Sequence, residues 1–137
     1  MNFRFEINEG PNMNEARYYH SSGIMYKDGR KVIVVAGGGY GLGYLSSVEV
    51  LDPYNLDEGW KFGPPLPNKL FCSVMITSPN RKGVILIGGH NHTEHEISHD
   101  LIEWQSSKAE WTILDQKLEH ARSSHLAFPI PCDLITR

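Results

Sequence analysis

The sequence predicts an all-β chain of short antiparallel strands, and three observations carry that reading. Helical periodicity is hard to find anywhere in the 137 residues. In its place, short β-branched or aromatic runs recur between Gly, Pro, Asn and Asp, the pattern of strands bounded by turns. The landmarks of these runs also repeat. The pairs Gly37–Gly38 and Gly88–Gly89 are 51 residues apart, and so are Trp60 and Trp111. A fixed period of this length signals a repeat architecture.

Each element takes a place in that period. A first strand is expected over 18–25, with its counterpart over 71–77. The two strongest apolar runs follow, Lys31-Val-Ile-Val-Val-Ala-Gly-Gly-Gly39 and Gly83-Val-Ile-Leu-Ile-Gly-Gly89. A polar loop separates each run from a third strand, Val48-Glu-Val-Leu51 or Leu101-Ile-Glu-Trp104. Turns at Asp52-Pro-Tyr-Asn55 and Gln105-Ser-Ser-Lys108 then lead to fourth strands opened by Trp60 and Trp111. A glycine pair lets the chain leave a central strand with unusual dihedrals and lets neighbouring segments approach closely. Trp60, Trp104 and Trp111 supply large apolar area for packing one repeat on the next. One such unit cannot bury its faces alone, so stability is collective.

This ordered set resembles the kelch motif of β-propeller proteins. The first copy is close to the family pattern, with Arg17-x-x-His20, Val32-Ile-Val-Val-Ala-Gly-Gly38, Ser47-Val-Glu-Val-Leu-Asp-Pro53, Trp60 and Pro65-Leu-Pro67. The second is looser. Leu70 stands in the Arg place, Ser73 in the His place, and Gln105-Ser106 replaces Asp-Pro, while the Gly pair, Trp104 and Trp111 remain. The flanks are in phase: Phe3-Arg-Phe-Glu-Ile7 with Gly10 to Arg17 looks like the end of a preceding unit, and Ala121-Arg-Ser-Ser-His125-Leu-Ala-Phe128 repeats the opening of a first strand.

The resemblance covers nearly the whole chain, to about Pro131. It implies a kelch-type propeller segment of four-stranded antiparallel blades that is not closed. Residues 1–12 would be the outer strand of a preceding blade, 13–65 and 66–117 two full blades, and 118–137 the inner strand of a following blade with a tail. Propellers typically close with roughly four to eight blades. The end blades are therefore expected to present unpaired edges and apolar faces, so that the chain is either part of a larger protein or self-associates.

By the same resemblance the function is protein–protein recognition without catalysis, cofactor or metal. Many kelch proteins serve as substrate receptors for cullin-based ubiquitin ligases through a separate domain, and others bind actin. Positions after the Gly pairs and at the starts of first strands carry ligand contacts in the family. Here these are Tyr40 and His90, then Arg17, Tyr18, Phe71, Arg122 and Ser123. Tyr and Arg suit such a surface, although Arg17 and Arg122 have an equally good role in hydrogen-bonding loop carbonyls within the blade. The alternative is a non-catalytic fragment of a kelch-bearing enzyme of galactose-oxidase-like type, whose catalytic pattern is not visible here.

Composition narrows the remaining classes. The net charge of −3 gives no basic footprint for nucleic acid or an anionic membrane. Apolar runs such as Val32 to Ala36 and Val84 to Ile87 are far short of the roughly 20 residues needed to span a bilayer. The start Met1-Asn-Phe-Arg-Phe-Glu6 lacks the layout of a signal peptide, so a cytoplasmic location is expected. Cys72 and Cys132 lack C-x-x-C spacing and read as thiols. Asn91-His92-Thr93 fits a glycosylation triplet that matters only in a secreted protein.

Gly37 to Gly43 does not fit G-x-G-x-x-G, because Leu42 or Ser46 stands where the last Gly is required. His90, His92, His95 and His99 could capture a metal only if their loop were held rigidly, and otherwise suit a solvated loop. Ser21, His20 and Asp28 offer the residue types of a catalytic triad, but no nucleophile elbow surrounds them.

Overall fold

The computed structural model describes residues 7–130, which hold thirteen strands and no α-helix. β1 (Ser21–Lys27) and β2 (Arg30–Ala36) form a hairpin, followed by the two-residue strands β3 (Gly39–Tyr40) and β4 (Gly43–Tyr44). β5 (Val48–Leu51) and β6 (Lys61–Phe62) come next, with a 3-10 turn at Leu56–Glu58 between them. The chain continues through β7 (Leu70–Phe71), β8 (Val74–Thr77), β9 (Gly83–Ile87), β10 (His90–Asn91), β11 (Glu96–Ile97), β12 (Asp100–Gln105) and β13 (Thr112–Lys117).

These strands make several small antiparallel sheets that do not close on themselves. The first four-stranded sheet has the order β1-β2-β5-β6 and the second β8-β9-β12-β13. Their registers correspond: Ala36 faces Ser21 and Val48, as Ile87 faces Val74 and Leu101. The tight turn at Asp28–Gly29 has positive φ at both residues, the turn that matches the twist of a two-residue hairpin. At the other end of β2 and β9 lie the β3–β4 hairpin and a three-stranded sheet of order β11-β10-β7. The polar loops expected after each Gly pair are thus hairpins.

First strands begin later than the sequence suggests. Tyr18 makes only an isolated bridge to Gly39, and β1 starts at Ser21. Leu70 and Phe71 pair with β10 instead of β9, and β8 starts at Val74. The reason is a left-handed residue at the same place in each repeat, Tyr19 (φ +54) and Cys72 (φ +55), which breaks the strand in two. Ser124 (φ +51) marks the same point a third time. The Cys72 amide donates to the Tyr19 carbonyl at 3.0 Å, and the Ser124 amide to the Cys72 carbonyl at 2.8 Å.

The core lies between the two sheets. Met25, Val34, Ala36 and Val48 of the first meet Met75, Val84, Leu86, Ile102 and Trp104 of the second, all at most 7% exposed. Ser21 and Ser73 hydroxyls lie 2.6 Å apart across the junction, and the Thr77 hydroxyl donates to the Ile24 carbonyl. Trp111 packs on this core and its indole donates to the Pro64 carbonyl at 2.8 Å; Trp60 repeats the bond to Pro11 at 2.9 Å.

The Gly pairs serve close approach. A Cβ at Gly37 would lie 2.2 Å from the Leu70 carbonyl oxygen, and one at Gly88 would lie 2.3 Å from that of Arg122. The next residue, Gly38 or Gly89, donates its amide to the same carbonyl. Of the expected features, the strand over 3–7 and Cys132 fall largely or wholly outside the described residues. Cys72 is a free, half-buried thiol.

Candidate binding surface

Tyr40 and His90 follow corresponding Gly pairs at the same end of β2 and β9, so their hairpins project from one face of the molecule. Gly39 and Tyr40 pair with Tyr44 and Gly43, and the turn is held by the Tyr18 hydroxyl, which donates to the Gly41 carbonyl at 3.0 Å. Gly41, at φ +60, makes that turn possible. Tyr40 is 64% exposed, Tyr18 is 44% exposed, and Leu42 at the tip is fully exposed.

Between the two hairpins runs a continuous stack of rings. His90 stacks on Phe71 with centroids 4.8 Å apart and Phe71 on Tyr44 at 4.4 Å, while Tyr44 meets His92 at a tilt of 35° with centroids 4.3 Å apart. His95 meets His92 edge-on at 5.2 Å. The first repeat supplies Tyr44 and the second supplies the rest, so the stack bridges the two hairpins. Its backbone anchors are the pairing of Phe71 with His90 and the His92 amide, which donates to the Lys69 carbonyl at 3.0 Å. Aromatic groups held in offset contact form a rigid apolar platform with polar edges.

Three sequence candidates sit differently. The Arg17 side chain is fully enclosed, donating to the carbonyls of Gly37 (2.8 Å) and Ser47 (3.1 Å) and pairing with Glu49 at 2.7 Å. Burial therefore removes Arg17 from the contact surface and gives it the bridging role within the sheet. Arg122 is exposed, with Nε at 3.4 Å from the His120 carbonyl, and Ser123 beside it is half-buried. Both lie past the second Gly pair on the same face, since the Arg122 carbonyl receives the Gly89 amide. Their side chains take no part in the ring stack.

Sequence reasoning did not place Tyr44, Leu42 or His92 on the contact surface, His92 being singled out only as a possible metal ligand. The available signal was the alternation Tyr40-Gly-Leu-Gly-Tyr44, a hairpin pattern that returns a second Tyr beside the first. All seven histidines belong to the first-strand starts or to loops at this end, while none lies in the turns at the opposite end. Glu94 accepts from the Asn91 side chain and His99 Nδ1 lies 3.1 Å from the Leu118 carbonyl. Among the described residues no group of three or more His, Cys, Asp or Glu is placed to hold a metal ion.

His20 and His125 occupy equivalent positions, each three residues after an Arg. Desolvation, then the charge of Arg17 or Arg122, holds both imidazoles below the usual histidine value, and a backbone hydrogen bond at Arg17 partly offsets this for His20. Among the described residues no helix is long and apolar enough to cross a membrane. No protein-family model matches the chain, and no curated protein matches it.

Proposed function

We propose that the chain is a kelch-type protein–protein recognition scaffold that contacts its partner through the face bearing the Gly-pair hairpins. The observation that carries this reading is the stack His90–Phe71–Tyr44–His92, flanked by the exposed Tyr18, Tyr40 and Leu42. Tyr-rich, pre-packed surfaces give large contact area at low conformational cost, the property that concentrates binding energy in a few residues. The two four-stranded sheets with matching registers support the reading of each as one blade. Substrate recruitment to a ubiquitin ligase and actin binding are the partner classes the resemblance suggests.

The test is affinity capture from the source proteome with wild-type chain, and with Tyr40→Ala/Phe71→Ala, read by quantitative mass spectrometry. A protein retained by wild type and depleted at least tenfold by the double variant, then bound directly in purified form, is the expected result. Equal retention by a double variant that keeps its far-UV dichroism would place the contact elsewhere.

A further inference from the structure

The end of the molecule opposite the ring stack is differently built. Its turns carry Lys27, Arg30 and Lys31 from β1–β2, Arg81 and Lys82 from β8–β9, and Lys61 and Lys108 from the third-to-fourth-strand connections. That is seven of the thirteen Lys and Arg residues in a chain of net negative charge.

Between the two sheets at this end lies a cleft of about 660 Å3. Its walls include Val32, Val50, Pro64 and Trp104, the indole ring being fixed by a bond of 2.9 Å from its nitrogen to the Lys108 carbonyl. Around this apolar floor stand Lys27, Arg30, Lys61 and Lys108, with the carboxylates of Asp28, Asp52 and Glu58. Two of those carboxylates are already engaged, Asp52 by Arg30 at 3.6 Å and Glu58 by Lys61. Among the described residues, Lys27 and Lys108 make no ion pair. A second depression shares Arg30 and adds Lys31, Tyr26 and Tyr54, the last 70% exposed.

A cleft of this volume falls within the roughly 300–1,000 Å3 of ordinary ligand sites, and here a charged rim of four cations and three carboxylates surrounds the apolar floor. An apolar side chain fits the floor, and negative charge beside it meets the unpaired lysines.

We propose that this inter-sheet cleft is a second docking site, for an acidic peptide segment carrying a bulky apolar residue. The apolar residue seats against Val32, Val50 and Trp104, and flanking carboxylates meet Lys27 and Lys108. The site shares no residue with the ring-stack face, so it stands or falls independently of that reading.

The direct test is fluorescence anisotropy on the full chain with a fluorescein-labelled octapeptide, a central Leu-Phe pair flanked by Glu. Saturable binding is expected, weakened tenfold or more by Lys27→Glu/Lys108→Glu, weakened by salt, and unchanged by Tyr40→Ala. In amide-resolved spectra the Trp104 indole and Gly63 amide signals should shift, and Gly39–Gly43 should not. Both lysines are exposed, so the charge-reversed variant should keep its fold, checked by its melting transition. The proposal is overturned by absence of saturable binding, by equal affinity for a Lys-flanked control peptide, by tighter binding of a single-stranded oligonucleotide, or by shifts confined to the Tyr40 hairpin.

Discussion

Arg17 and Glu49 meet at 2.7 Å with neither side chain exposed to solvent, and the second repeat holds Leu70 and Ile102 at the same two positions. The correspondence follows from register: Glu49 faces Val35 as Ile102 faces Leu86, and Tyr18 bridges Gly39 as Phe71 pairs with His90. One chain thus contains both a buried ion pair and its apolar replacement. Breaking a buried pair leaves one charge uncompensated, a loss of about 3–5 kcal/mol, whereas replacing both partners is often neutral or better. Arg17→Leu and Glu49→Ile should each lower stability by about that amount in urea denaturation, and the double variant should recover most of it. Additive losses would show that the Asn14 and Glu15 bonds, not the ion pair, carry the site.

The same carboxylate sets an acid limit. Burial pushes the Glu49 carboxyl up, but hydrogen bonds from the Asn14 amide, the Arg17 guanidinium, the Glu15 amide and the Asn14 side chain outweigh it and hold the value below the usual range. A depressed carboxylate stabilises the fold above its unfolded value and loses that contribution as pH falls through the folded one. The melting temperature should therefore drop below about pH 4.5, with Glu49→Gln already destabilised and flatter in pH over that window.

His20 and His125 act in the same direction at higher pH, through neutral rings that gain a charge on protonation. Their lowered values mean that the unfolded chain takes up protons first as pH falls below about 6.5. Stability conferred by the neutral rings is full above that point and declines from there through the folded values. Ser73 is the second repeat's residue at this position, so His20→Ser/His125→Ser is the natural control. It should reduce the slope of melting temperature between pH 7 and 5; an unchanged slope would show that these two rings do not set it.

How much of this was legible in sequence depends on what each residue does. The period, the strand order and the Trp positions could be read because large apolar residues and Gly pairs mark packing directly. Trp60 and Trp111 make the same indole bond to Pro11 and Pro64. The strand breaks could not, because Tyr19, Cys72 and Ser124 share a left-handed backbone but no side-chain type that announces it. Arg17 was ambiguous for a related reason: a buried and an exposed Arg look alike in sequence, and only the partner Glu49, 32 residues away, decides. The ring stack was half visible, since Phe71 and His90 could be placed by phase while Tyr44 and His92 depend on hairpins too short to show periodicity.

Gly37 at the sheet junction and Gly41 in the β3–β4 turn allow a contrast between space and strain. Gly37 and Gly41 both have φ near +60, but only Gly37 has backbone within reach of an added Cβ. Gly41→Ala should cost only the left-handed strain, about 1–2 kcal/mol. Gly37→Ala must also push away the Leu70 carbonyl, which separates the two sheets at their inner edge. Its loss in denaturation should be at least twice as large, and equal losses would mean that the junction is compliant.

The second sheet's outward face bears on the state of the chain in solution. Val74, Ile76, Ile85, Ile87 and Leu101 correspond by register to Ser21, Gly23, Val34, Ala36 and Val48, the face through which the first sheet packs on the second. Ser21, Val34, Ala36 and Val48 are at most 4% exposed, whereas all five of the second sheet's residues are only half-buried. The first sheet's opposite face offers a matching surface, with Ile24 47% exposed and Tyr26 and Ile33 half-buried around it. A contiguous apolar face of this kind favours association, and here the contact would be head-to-tail, the second sheet of one copy on the first sheet of the next. Sedimentation velocity across a hundredfold concentration range should show species larger than the 15.5 kDa monomer at the upper end. Ile85→Lys should suppress them without altering the far-UV dichroism, because the side chain points away from the core. A wild-type chain that stays monomeric throughout and melts cooperatively would show that two sheets bury enough surface by themselves.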